Sequence, residues 1–138
     1  MKSFEWPVRV YYEDTDAGGV VYYANYLRYL ERARTEWLRA FGFEQDQLRI
    51  EHNIVFAVRS VDIQYKKPAL FNQQIIVLID HVDLRPASME MQQSIIRKSA
   101  KNSELIVTAT VNIVCLHDQQ FTPQRIPQPI YKELTACM

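Results

Sequence analysis

The sequence predicts an α+β domain in which one long helix packs against a curved antiparallel sheet of about five strands. Three observations carry this: a single apolar stripe at three- and four-residue spacing, four later runs that alternate with period two, and short links between those runs. The first strand is expected from Pro7 to Tyr12, where Val8, Val10 and Tyr12 fall on one face. A polar turn ends it. That turn, Glu13-Asp14-Thr15-Asp16-Ala17-Gly18-Gly19, joins three carboxylates to two glycines, residues that let a backbone come close to a ligand.

The helix is expected from Val21 or Tyr22 to Phe41, with Tyr26, Leu30, Ala33, Trp37 and Phe41 forming its stripe. Arg28, Glu31, Arg32 and Arg39 point largely elsewhere, and Gly42 sits where helices end in a left-handed residue. At that length it spans about 30 Å, enough to cross several strands. Strands then follow near Ile54 to Tyr65, Gln73 to Leu84, Ser88 to Lys98 and Glu104 to Leu116. In the first of these, Phe56 and Val58 are out of phase with Val61, Ile63 and Tyr65, which requires a bulge around Arg59-Ser60. In the last, Leu105, Val107, Ala109, Val111, Ile113 and Cys115 are expected on one face.

The links Lys66 to Asn72, Arg85 to Ala87 and Ser99 to Ser103 are short, so neighbouring strands should be antiparallel. Pro123, Pro127 and Pro129 make residues 118–138 an irregular tail, apart from a helical turn near Tyr131 to Leu134. Residues 1–138 read as one domain without repeats. Ile75 to Ile79 is apolar at every position and is expected to be buried on both faces. A second copy of the chain is the simplest cover, so a homodimer is expected, with a tetramer also open.

Sixteen basic and sixteen acidic residues cancel, which removes the bulk attraction that a nucleic-acid or anionic-membrane binder needs. No run approaches the ~18 apolar residues of a membrane span. The start, Met1 to Val10, mixes charges and Pro7 with its apolar residues and lacks a secretory signal pattern, so a cytoplasmic location is expected. Cys115 reads as a small core residue and Cys137 lies at the C-terminal edge, a pair that fits neither a disulfide framework nor a zinc site.

The carboxylates of the turn fail the calcium-loop template, and His52, His81 and His117 lack ligand spacing, so no metal and no organic cofactor are expected. There is no G-x-S-x-G elbow, and Cys115 has a core-facing phase. A carboxylate mechanism remains. Thioester hydrolysis asks for donors aimed at the acyl oxygen and a carboxylate that attacks the carbon or activates water. Asp16, followed by a flexible turn and a helix start with unpaired N–H groups, supplies both. The same residues fit a plainer reading, in which Asp14 or Asp16 caps the helix and Gly18-Gly19 makes a tight turn.

The run from Val8 through Glu13-Asp14-Thr15-Asp16-Ala17-Gly18-Gly19 to Tyr22, followed by Asn25-Tyr26 and Glu31-Arg32-Ala33-Arg34, resembles the signature of the 4-hydroxybenzoyl-CoA thioesterase-like hot-dog family. The match is best to its YbgC-like, Tol-Pal-associated branch. It continues through Phe56-Ala57-Val58-Arg59, Tyr65 and Pro68-Ala69 to Val111, Val114 and Cys115. The resemblance implies a hot-dog fold, with active sites at the interface of paired subunits. It makes Asp16 the catalytic carboxylate and the Tyr23 backbone N–H the carbonyl-polarising group, with Gly19 and Val20 lining the turn. Relatives of that branch often carry histidine where this chain has Tyr23, so the resemblance implies a main-chain role there. Tyr12 and Thr15 belong to the same expected substrate site. Arg59, Ser60, Lys66, Lys67, Arg85 and Arg97 are the residues expected to meet the coenzyme A portion.

The implied activity is hydrolysis of an acyl-CoA, or of an acyl carrier protein thioester. Two other readings compete. One is an interaction module that binds acyl groups or acyl carrier protein in envelope lipid metabolism. The other is a hot-dog hydratase, which would need a histidine that this helix start lacks.

Overall fold

The computed structural model describes residues 3–136, so Cys137 lies outside the described residues. The elements are β1 (Phe4–Arg9), a 3-10 turn (Tyr12–Asp14), α1 (Asn25–Ala40), α2 (Gln45–His52), β2 (Ile54–Tyr65), β3 (Gln74–Leu84), β4 (Ser88–Lys98), β5 (Ser103–His117) and α3 (Gln128–Ala136). The five strands form one sheet in the order β1-β3-β4-β5-β2, and every pairing is antiparallel. This is the expected α+β arrangement, with α1 packed against β1 and β3.

Tyr26, Tyr29, Leu30, Ala33 and Trp37 of α1 are buried against Ile75, Val77 and Ile79 of β3 and the inward residues of β4 and β5. The helix starts later than its apolar pattern does. Val21 N–H donates to Ala69 O at 2.9 Å and Tyr22 N–H to Asp14 O at 2.9 Å, so this segment is tied across to two loops and cannot join the helix. At the other end Gly42 has φ +90°, Gly42 N–H donates to Arg39 O and Phe43 N–H to Leu38 O. These paired bonds satisfy carbonyls that a helix end otherwise leaves open.

The bulge falls where the phase break requires it, between Val58 and Ser60 of β2. Phe56, Val58, Val61, Ile63 and Tyr65 pair with Cys115, Ile113, Val111, Ala109 and Val107, so the extra residue returns all five to one face. A second irregularity lies where Ile95 pairs with Val107 and Ile96 with Leu105. It leaves Ile106 unpaired and buried and turns Leu105 outward, which corrects the single face expected for that strand.

Three other expectations are corrected. β1 ends at Arg9, and Tyr12 belongs to the following turn. Ile75, Val77 and Ile79 are fully buried, but Ile76 and Leu78 on the opposite face are only half-buried in the single chain. The tail is ordered: it runs back along the end of β5 through Gln124 N–H to Cys115 O and Ile126 N–H to Pro86 O, then forms α3. Pro129 sits in the first turn of α3, where no N–H is needed, and Ile130 and Leu134 bury its inner side. α2 had no counterpart in the sequence pattern because Leu48 is its only buried residue. Among the described residues no helix is long and apolar enough to cross a membrane.

Candidate active site

The turn after β1 is held by its own backbone. Asp14 N–H donates to Tyr11 O, Thr15 N–H to Tyr12 O, Asp16 N–H to Val20 O and Gly19 N–H to Asp16 O, all within 3.1 Å. Gly19 makes the reversal with φ +80°, a left-handed conformation that L side chains rarely adopt. Isolated bridges from Thr15 to Val21 and from Val20 to Leu70 fasten the turn to itself and to the loop before β3. The Thr15 hydroxyl donates to Tyr12 O at 2.7 Å, so it braces the turn.

The carboxylates divide by environment. Asp14 Oδ2 accepts from Tyr11 N–H at 2.8 Å, and Asp14 O receives Tyr22 N–H and the buried Asn25 Nδ2, the latter at 2.9 Å. Asp14 is therefore a brace between the turn and the helix start. Asp16 is exposed; its Oδ1 accepts from Gly18 N–H at 2.8 Å, and among the described residues its Oδ2 has no protein donor. This oxygen is free for chemistry. Glu13 is exposed, and no group of three or more metal-ligating side chains converges among the described residues.

Neither Asp14 nor Asp16 caps α1. The residue before the helix is Ala24, with no side-chain cap bond, and the first turn closes through Asn25 N–H to Tyr22 O, Tyr26 N–H to Tyr23 O and Leu27 N–H to Ala24 O. Among the described residues the N–H groups of Tyr23 and Ala24 have no acceptor. They lie at the positive end of the helix dipole, where an oxyanion is stabilised. The Tyr23 ring is exposed, 6.2 Å from the Tyr65 ring centroid, and Tyr65 Oη donates to Tyr23 O at 3.5 Å.

Two residues not expected in the site support it. Asn25 links helix to turn, as described, and Tyr26 Oη accepts from Ala69 N–H at 3.0 Å inside the core. Burial raises the Tyr26 phenol above its ordinary value, and the Asp16 carboxylate adds a smaller push the same way. Tyr29 beneath them has a buried hydroxyl without a hydrogen-bond partner among the described residues, and burial, then Asp14, drives it upward too. The available signal was their spacing: Asn25, Tyr26 and Tyr29 fall on one helical face with Leu30 and Ala33.

The remaining expected substrate residues are spread over the molecule. Tyr12 is 80% exposed, stands edge-on to Phe71, and with Phe71 lines the open depression around Asp16 that also contains Thr15 and Gly19. Val20 lies behind it, half-buried. Lys66 and Lys67 donate backbone N–H groups to Ile106 O and stand just before Ala69, at the Asp16 end of the sheet. The Lys67 side chain pairs with Glu104 at 3.1 Å, while Lys66 is exposed with no ion-pair partner among the described residues. Arg97 is engaged by the protein itself, donating to Pro68 O and Gln73 Oε1 and pairing with Glu104. Its bonds, followed by those of Lys67, hold the Glu104 carboxyl below the usual range.

Arg59 and Ser60 sit exposed at the β2 bulge, six and five residues before the strand end at Tyr65, or about 20 Å away for Arg59. Arg85 pairs with Asp83 beyond the end of β3, about 30 Å from the Gln74 end that adjoins the turn. The chain therefore gathers Tyr12, Thr15, Asp16, Gly19, Val20, Tyr23, Lys66 and Lys67 at one end and leaves Arg85 at the other. Cys115, an alternative nucleophile by residue type, is fully buried, and burial pushes its thiol from its ordinary 9.0 to about 11.

A family model described as thioesterase-like superfamily matches residues 10–134. The acyl-CoA thioester hydrolase YbgC of Escherichia coli O6:H1 is 41% identical over 130 residues, covering 94% of each chain. A probable thioesterase from Bartonella henselae superposes with TM-score 0.83 at 32% identity, over 91% of this chain and 99% of that one. The 4-hydroxybenzoyl-CoA thioesterase from Pseudomonas sp. strain CBS-3 has TM-score 0.86 at 20% identity over 96% of this chain and 99% of its own, a likeness of fold alone. The sheet order, the helix laid across it and the match across nearly the whole chain agree: this protein is a hot-dog-fold member of the thioesterase-like superfamily.

Proposed function

We propose that the protein hydrolyses acyl-CoA thioesters to a free acid and coenzyme A, with Asp16 as the catalytic carboxylate and the Tyr23 backbone N–H as the oxyanion donor. The observation that carries this reading is that, among the described residues, Asp16 keeps an exposed carboxylate oxygen without a protein donor while the helix start after the same turn has N–H groups without an acceptor. The substrate class comes from the Escherichia coli relative, whose name is that of an acyl-CoA thioester hydrolase.

The thioester oxygen sits against the Tyr23 N–H, and the carbonyl carbon faces Asp16 Oδ2. Asp16 takes a proton from water as the water oxygen bonds to that carbon, and negative charge moves onto the oxygen held by the N–H. Collapse of the intermediate breaks the carbon–sulfur bond, and the proton on Asp16 passes to the leaving thiolate. Direct attack by the carboxylate would give an anhydride that water then opens. Incorporation of heavy oxygen from water into Asp16 in a single turnover separates the two.

The assembly proposed with this reaction is a homodimer or a tetramer. β2 is a twelve-residue edge strand, and Tyr23, Leu27, Val58, Val61 and Tyr65 expose 38–60% of their area beside it. An open apolar strand edge of that length is a ready pairing surface. Lys66, just after β2, is the cation proposed to meet a coenzyme A phosphate.

Asp16→Asn is the deciding experiment. Because the side chain is exposed, the variant should fold normally, and kcat should fall about 10²- to 10⁴-fold on an acyl-CoA panel. Equal turnover by wild type and variant would remove Asp16 from the reaction.

A further inference from the structure

Between α1 and the inner surfaces of β2, β4 and β5 lies a cavity of about 100 Å³ walled by Phe56, Val58, Met89, Met91 and Ile113. Arg34 of α1 also lines it. Burial lowers the pKa of its guanidinium, against a smaller opposing effect of Glu31. Among the described residues its only hydrogen bond is from Nη1 to Gln93 Oε1 at 3.0 Å. Gln93 is itself 2% exposed, and its Nε2 donates to Leu30 O at 3.2 Å, so the amide is fixed between sheet and helix and aims the guanidinium.

Glu31 lines the same cavity but does not neutralise this charge by contact. No ion pair within 4 Å joins it to Arg34 among the described residues; its carboxylate accepts from the Thr35 hydroxyl at 3.0 Å, and it is exposed to screening water. A guanidinium has five N–H donors; Arg34 is half-buried and spends one on Gln93, so the others are open to water or to a ligand in the cavity.

The cavity, partly open to solvent, lies at one end of a longer strip between α1 and β2. Tyr23, Leu27, Glu31 and Arg34 succeed one another at helical spacing along α1 and the turn before it, while Tyr65, Ile63, Val61, Val58 and Phe56 run back along the inner face of β2. At one end the Tyr23 and Tyr65 rings are 6.2 Å apart, and at the other Arg34 shares the cavity with Phe56 and Val58. Between them Leu27 and Val61 remain 41% and 38% exposed, so an open strip, apolar apart from Glu31, runs from the helix start to the arginine.

We infer that the protein accepts acyl groups whose far end carries a carboxylate, and that Arg34 is the specificity residue that binds it. This rests on the thioesterase reading above and names the substrate class of that same site. From Asn25 to Arg34 the helix rises about 14 Å, and the arginine side chain leans several ångströms back toward the helix start. The remaining distance of about 10 Å suits an extended chain of roughly eight to ten carbons. The cavity itself has room for the carboxylate and the last methylenes only.

The test compares sebacoyl-CoA, a straight-chain diacid ester, with decanoyl-CoA, the monoacid ester of equal length. Wild type should favour sebacoyl-CoA at least tenfold in kcat/KM. Arg34→Met should cut sebacoyl-CoA turnover about 10- to 100-fold while raising that of decanoyl-CoA, and Arg34→Lys should recover part of the loss. Equal rates in wild type, or an equal loss on both esters in Arg34→Met, would overturn the inference. So would dissociation of Arg34→Met in sedimentation, which would place a partner subunit's carboxylate on the arginine.

A binding measurement covers the case in which that variant fails to fold. Sebacate titrated into Asp16→Asn, with Arg34 intact, should bind at least tenfold more tightly than decanoate, and equal binding would refute the assignment. If wild type turned over no member of a broad acyl-CoA panel, the thioesterase reading would fail, whereas activity on that panel without preference for sebacoyl-CoA would remove only the role of Arg34.

Discussion

Asp14 and Asp16 are two residues apart and chemically identical, yet their surroundings give them different work. Asp14 is engaged through both carboxylate and carbonyl, while Asp16 keeps one oxygen free. Gly18 guards that difference. A Cβ built there would stand 3.2 Å from Asp16 Oδ1, so Gly18→Ala should push the carboxylate aside. We expect kcat to fall about tenfold with little change in thermal stability, an effect on near-attack geometry. A steady-state assay beside a melting curve checks it. Asn25→Ala should act differently, because it removes a bond to a buried carbonyl and should cost about 1–3 kcal/mol by denaturant unfolding.

Cys115 carries a prediction about pH. Its thiol is raised in the folded protein from 9.0 to about 11, so the unfolded chain loses its proton first as pH rises. Stability is thus fully present below pH 9 and declines between pH 9 and 11, at up to about 1.4 kcal/mol per unit from this group. Tyr26, Tyr29 and Tyr65, all raised by burial above 10.0, continue the decline at higher pH. Cys115→Ala should flatten the pH 9–11 portion of a denaturant-midpoint profile, and an unchanged slope would refute the assignment.

Among the elements, α1 is set by agreement between pattern and termini, since its stripe and Gly42 both mark its C-terminal end. Gly42→Ala should cost about 1 kcal/mol, because the paired terminal bonds need φ +90°. The bulge in β2 was equally legible, as a break in alternation has no other way to keep both halves on one face. α2 and α3 were less so, because a helix anchored by one or two buried side chains leaves too weak a periodicity to read. α3 nonetheless matters: Leu134 is fully buried, and Leu134→Ala should destabilise by about 2–5 kcal/mol in equilibrium unfolding.

For the whole molecule, the half-buried Ile76 and Leu78 and the open edge of β2 mark two surfaces that one chain does not cover. The proposed dimer uses the second, and its edge pairing would roof the strip that leads to Arg34. Val61→Lys should therefore shift sedimentation toward monomer and lower activity on any acyl-CoA, while leaving the far-ultraviolet circular dichroism unchanged.

The number and length of the alternating runs were written in the residues, because side-chain alternation is a local property that each strand satisfies by itself, but their order in the sheet was not: β2 and β3, joined by a short link, are not neighbours. Asp16 could be picked out in the sequence only as a candidate, through its place among glycines before an apolar stripe. The tertiary structure decided what depends on contacts between distant segments. It held Val21 and Tyr22 out of the helix through Ala69 and Asp14, tied Arg97 to Pro68 and Gln73, and removed Arg85 to the far end of the sheet. It also brought Arg34 onto Gln93, though they lie 59 positions apart. No local pattern encodes such a meeting, because the free energy of burying a charge is fixed only when the chain closes around it.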